Sequence, residues 1–160
     1  MARTGFDPTT ISDTTAAYVL GGILVYQGMS YRYVLNSDNA TAAGDVLRPT
    51  ATVSTQNGGT WVTVNNRLVA SGGTPAAVSN NSMAGIAVGV IGAAKYGFIL
   101  VNGYYASVKC EAGVNAGDLI KPSAATDARV NVVSAATMRG GGQATANVAG
   151  NLIPALIFCD

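Results

Sequence analysis

Two aspartates occupy nearly identical settings. Asp45 lies in "AGDVLRP", residues 43–49, and Asp118 in "AGDLIKP", residues 116–122. A carboxylate used twice is how pseudo-symmetric aspartic hydrolases set a like-charge pair around one shared proton. The neighbours argue against that chemistry, because those enzymes present the acid on an Asp-Thr-Gly or Asp-Ser-Gly turn and this chain has Asp-Val and Asp-Leu. Other routes to chemistry are equally bare. There is no histidine, which removes Ser-His and Cys-His nucleophile pairs and the commonest metal ligand. Cys110 and Cys159, the only cysteines, do not outline a zinc site and are expected as two buried thiols rather than a disulfide. Lys95, Lys109 and Lys121 coexist with ten serines, yet no local pattern singles out a Ser-Lys dyad. "RGGGQAT" at 139–145 lacks the Lys-Ser/Thr of a phosphate-binding loop, and "NSDN" at 36–39 lacks calcium-loop spacing and reads as a turn. Glu111, the single glutamate, reads as a solvated residue ending a strand. No catalytic, cofactor-binding or metal-ligating residue is expected, and the chain is not expected to be an enzyme.

The repeated heptads have a structural reading instead. Their glycine can adopt a backbone shape closed to other residues, and their aspartate can accept hydrogen bonds from amides across a turn. Two aliphatics then begin a strand, and proline ends its ladder. Each copy is thus a loop-to-strand corner, and the pair hints at two related halves. The elements around them read as strands. No stretch carries apolar residues at helical spacing over three turns, while Gly, Thr, Val, Asn and Ser favour strands and tight turns. Asn102-Gly103 predicts a hairpin joining Phe98–Val101 to Tyr104–Val108, and Asn57-Gly58-Gly59 predicts another joining Ala51–Gln56 to Thr60–Val64. Further strands are expected at 31–36, 85–91, 128–133 and 151–159, the last demoted by Pro154 to an edge or a bulge. "AAYVLGGILVY", residues 16–26, is too short to span a bilayer and reads as a buried strand. Residues 134–150 read as a loop with at most one helical turn. The expected fold is all-β, a small β-barrel or β-sandwich of short antiparallel strands over residues 16–160, preceded by an extended N-terminal arm over 1–15 that orders on a partner.

Composition narrows the function. At 160 residues the chain is one domain's worth, and it can build a core without staples. Only 11 % of residues are charged, against about 25 % in an ordinary soluble domain. So little charge is poor equipment for staying apart from neighbours, so copies of itself or a larger assembly are expected to cover much of the exterior. The nine cations are scattered and the net charge is +1, so no basic cluster exists to neutralise phosphates, and nucleic acid is excluded as a partner.

From Ala84 to Val133 the order "AGIAVGVI", a short spacer, then "YGFILVNGYYASVKCEAGVNAGDLIKPSAATDARVNVV" resembles the small head-decoration, or cement, proteins of tailed bacteriophages. The apolar C-terminal run "NLIPALIFCD" fits the same pattern. The chain departs from it at Asp127-Ala128, where the family often has glycine. The resemblance implies a compact β-rich virion protein, commonly a symmetric trimer, assembled in the host cytoplasm and seated on the major capsid protein at the outer capsid surface, which it stabilises. Two alternatives stand beside it: a phage tail or spike subunit, and a small ligand-binding or hydrolytic β-barrel. No membrane association and no cofactor are expected.

Overall fold

The computed structural model describes residues 7–37, 39–49, 63–65, 83–133 and 141–159. Among the described residues ten strands form one sheet: β1 (Ile23–Tyr26), β2 (Met29–Asn36), β3 (Val46–Pro49), β4 (Thr63–Asn65), β5 (Gly85–Ala87), β6 (Lys95–Lys109), β7 (Leu119–Pro122), β8 (Val130–Val132), β9 (Gly142–Ala144) and β10 (Leu152–Phe158). The order is β1-β2-β4-β3-β5-β6-β10-β9-β7-β8, with a further pairing of β2 to β6. Among the described residues β2–β4 is the parallel strand pair and the other strand pairs are antiparallel. The chain is therefore all-β as expected, but the sheet is not closed into a barrel.

Two turns show why residue type dictates the path. Gln27 and Gly28 both take positive φ, 50° and 77°, the pair that a type I′ turn needs, so β1 and β2 close tightly with Tyr26 opposite Met29. The hairpin expected at Asn102-Gly103 does not form, and β6 runs straight through it for 15 residues. Gly103 takes its positive φ of 133° within the running strand, and the nearby irregularity falls at Val101, which β2 skips between Asn102 and Leu100. Folding β6 back on itself would remove better partners: its first half lies between β2 and β5, and its second half pairs with β10. The hairpin expected around 57–59 lies outside the described residues.

Other expectations need correction. Residues 16–22 are irregular, and β1, at the end of the sheet order, alternates exposed and half-buried rather than lying buried. From Asp7 onward the arm is laid on the chain's own body: Asp7 caps a 3-10 turn at Pro8–Thr10, Pro8 is buried, and Asp13 bridges to Tyr96. Within 85–91 only Gly85–Ala87 is strand. Within 134–150 the described part contains β9, where a loop was expected. Pro154 does mark a pairing shift in β10, between Ile153 and Ala155, yet β10 is an interior strand between β6 and β9.

The two halves share one hydrogen-bond plan. In the first, the Gly44 amide donates to the Ala87 carbonyl (2.8 Å), the Ala87 amide to Asp45 (2.9 Å) and the Ala84 amide to Leu47 (2.8 Å). In the second, Gly117 donates to Ala144 (2.8 Å), Ala144 to Asp118 (2.9 Å) and Gly141 to Ile120 (2.9 Å). Pro49 faces Val64 and Pro122 faces Val130; the Ser37 amide reaches Val64 and the Glu111 amide reaches Val130. β5 and β9 are thus counterparts, as are β3 and β7, β4 and β8. Strand β6 closes the first unit and opens the second, which is why it is the longest strand.

The core includes Tyr31, Tyr33, Leu47, Ile86, Ile99, Leu100, Ile120, Ile153 and Ile157. Tyr33 stacks on Tyr96 and packs against Phe98, while its hydroxyl donates to Asp13 Oδ2 (3.1 Å) and accepts the Ala17 amide (3.1 Å). Burial holds the Tyr31, Tyr33 and Tyr105 phenols above their ordinary value of 10.0. A group whose pKa is higher folded than unfolded favours the folded state up to the unfolded value and opposes it beyond. Stability should therefore be level in this respect below pH 10 and fall as pH climbs through the folded values. Thermal melts between pH 8 and 12, read beside phenolate absorbance, should show a late tyrosine step that coincides with unfolding. Free titration of all seven tyrosines near pH 10 in an intact fold would contradict it.

Candidate functional site

The structure does not join the two aspartates into a pair; each is spent on its own corner. Asp45 is buried, its Oδ2 accepting the Ala42 amide (2.8 Å) and its Oδ1 ion-paired with Lys109 Nζ (2.5 Å). Asp118 is half-buried and uses Oδ2 to accept the Asn115 amide (2.7 Å). Gly44 and Gly117 carry φ of 85° and 91°, the conformation that the corner reading requires of glycine. Lys109 is thus held by an aspartate, not by a serine. Asn36 closes the 36–39 turn from inside, its fully buried amide nitrogen within 2.7–3.1 Å of the Asn39, Ile91 and Gly92 carbonyls.

Cys110 and Cys159 are buried thiols not joined in a disulfide, and burial pushes the Cys110 thiol above its ordinary value, which disfavours the reactive thiolate. Glu111 is less solvated than expected. It sits half-buried in a polar clasp, where Oε1 accepts the Ser123 hydroxyl and Oε2 accepts Asn131 Nδ2 (2.5 Å). Arg48 enters the same clasp, donating from Nη2 to the Ser123 carbonyl while fully buried, and burial draws its pKa down against the pull of Asp127. These contacts tie β3 to the turn after β7. Among the described residues Arg48 Nε and Nη1 are buried there without a hydrogen-bond partner, and no group of three or more His, Cys, Asp or Glu could hold a metal ion.

What stands out is a surface rather than a pocket. In the first unit the cross-strand row Val46–Ile86–Leu100–Tyr31 is sealed, with relative exposures of 0, 0, 0 and 3 %. The same register in the second unit gives Leu119–Gln143–Leu156–Tyr104, and this row is open: Leu119, Leu156 and Tyr104 are 44, 45 and 50 % exposed. Residues directly opposite across a ladder share a face. Alternation along β10 puts Leu152 and Phe158 on that face too, both exposed. With the three above they make a largely apolar face, in which the exposed Gln143 between Leu119 and Leu156 is polar; exposed apolar patches of a few hundred Å² on a monomer are often functional. Sequence reasoning missed this face because its strand β9, "GQA", looks like loop; the signal was its likeness to "GIA" at 85–87, although the two follow their corners at different distances.

No protein-family model, no curated protein and no solved structure matches this chain.

Proposed function

We propose that this chain is a non-enzymatic virion subunit that decorates and stabilises the outer surface of a tailed-bacteriophage capsid, acting as a symmetric homo-oligomer, a trimer, on the major capsid protein. The observation that carries the reading is the bare row Leu119–Leu156–Tyr104, whose counterpart in the first unit the chain's own residues cover. Apolar side chains held open on a sheet face suit permanent contact with a neighbour, where water is expelled, while Lys121 on the Leu119 side and Lys109 opposite Leu152 stand at the edges of the face. An 11 % charge content adds little repulsion between copies. Repeated modest contacts across a symmetric shell then multiply into firm attachment. The resemblance over Ala84–Val133 supplies the kind of shell.

The test mixes purified protein with undecorated, expanded phage heads and images them, with sedimentation of the free protein alongside. The expected result is a discrete oligomer and density at symmetry-related positions on the heads. Leu156→Lys, on an outward position, should keep the fold and reduce attachment at least tenfold. A monomer that leaves the heads bare, or that binds equally well with Lys at 156, overturns the proposal.

A further inference from the structure

A second feature lies apart from that face except at Tyr104. Four of the seven tyrosines, Tyr26, Tyr31, Tyr104 and Tyr105, line one open cleft of about 260 Å³ together with Asp7 and Gln27. We infer that this cleft is a binding site for a neutral pyranose ring of a saccharide.

The walls are built from three separate parts of the chain, each fixed before any ligand arrives. The β1–β2 turn supplies Tyr26 and Gln27 on its type I′ backbone. The middle of β6 supplies Tyr104 and Tyr105, and there Gly103 lies so close to Met29 that a Cβ would stand 2.6 Å from its Cγ. The 3-10 turn supplies Asp7, and Gly89 admits that turn, since a Cβ there would meet the Thr9 carbonyl oxygen at 2.0 Å. A site held this way loses little freedom on binding, which favours even a small ligand.

The lining selects the ligand's chemistry. A phenol offers an electron-rich ring face and a hydroxyl that both donates and accepts, and a pyranose offers the complement, a C–H face and an edge of hydroxyls. Burial keeps the Tyr31 and Tyr105 phenols neutral well beyond physiological pH; the Tyr31 hydroxyl is turned to Met29 Sδ (3.8 Å), so Tyr105 is the phenol donor that the ligand would meet. Asp7 accepts the Thr9 amide (2.9 Å) and hydroxyl (2.7 Å), contacts that favour its ionised form, so an anionic ligand would meet a negative charge. Those contacts are exposed, and solvent screens Asp7 too well for it to capture a cation by charge alone. A volume a little under the usual ~300–1,000 Å³ of small-molecule sites suits one ring rather than a long ligand.

The affinity for a single ring should be weak, with Kd on the order of 1 mM for a ligand of that size. The test is saturation-transfer NMR on the full chain with methyl glycosides of glucose, galactose, mannose and N-acetylglucosamine. Tetramethylammonium and inorganic phosphate serve as the cationic and anionic probes. At least one glycoside should receive transfer through its ring C–H protons. Tyr26→Leu keeps bulk but removes the ring face and should weaken binding about five- to tenfold; Asp7→Asn, a lighter change at the rim, checks the carboxylate independently and should also weaken it. Neither residue belongs to the apolar row, so loss of sugar binding leaves capsid attachment intact and the two proposals fail separately. Silence from all four glycosides, binding indifferent to both substitutions, or transfer to tetramethylammonium or phosphate alone overturns the inference.

Discussion

Gly44→Ala should destabilise the protein by about 3–5 kcal/mol, whereas Gly117→Ala, at the matching position of the same motif, should cost only about 1–2 kcal/mol. Both glycines hold a left-handed backbone, φ 85° and 91°, so both substitutions incur the strain of forcing a side chain into that region. The difference lies in what the new methyl meets. At Gly44 a Cβ would sit 2.2 Å from the Ser107 carbonyl oxygen, a backbone atom of β6 that the Gly44–Lys109 hydrogen bond holds in place. At Gly117 a Cβ meets nothing within 4 Å. The first corner therefore has to move away from β6 or bend it, and overpacking against backbone relaxes poorly. Urea unfolding of the two variants beside the parent measures the contrast. Equal losses would mean that the corner's conformation alone matters and that the first corner is not clamped to β6.

Asp45→Ala should cost about 2–3 kcal/mol and Asp118→Ala about 0.5–1.5 kcal/mol. Each aspartate accepts an amide three residues back, so each substitution loses that hydrogen bond. Asp45 is also 4 % exposed and paired with Lys109, and its removal leaves an ammonium beside a sealed corner without its counter-charge. Losing one partner of a buried pair can cost about 3–5 kcal/mol. Lys109 is itself 33 % exposed and can turn towards water, which is why the smaller figure is expected. Asp45→Asn separates the contributions: it can still accept the Ala42 amide, so its loss should fall between those of the parent and Asp45→Ala. Thermal and denaturant unfolding report all three values. A greater loss at Asp118 than at Asp45 would contradict the geometry.

The corners were legible because their cause is local. Glycine in a left-handed turn, an aspartate capping an amide three residues back and a proline ending a short strand involve few residues beyond the motif. "AGDVLRP" and "AGDLIKP" accordingly form the same corner. Strands β2 and β10 were legible for a similar reason, since aliphatic and aromatic residues at short range favour extended backbone whatever they pair with. The buried thiols follow from the apolar run around Cys159 and the end of β6 at Cys110. Local cues failed where a distant partner competed. Asn102-Gly103 has turn chemistry, yet β2, β5 and β10 together hold β6 straight. "GQA" has little strand character, and it becomes β9 because β7 and β10 leave a slot between them.

By itself, the chain's composition and short-range pattern determined an all-β protein with two equivalent corners, few charges and no histidine on which to base a hydrolytic site. Tertiary structure alone decided which copy of each repeated residue is covered. Val46 and Leu119 hold the same place in the motif, yet one is sealed and the other 44 % exposed; Arg48 is buried where Lys121 is half-buried. Burial depends on which segments pack over each strand from far along the chain, and identical neighbours in sequence carry no record of that. The bare face of the second unit and the tyrosine cleft both arise at that level, where strands distant in sequence are brought side by side.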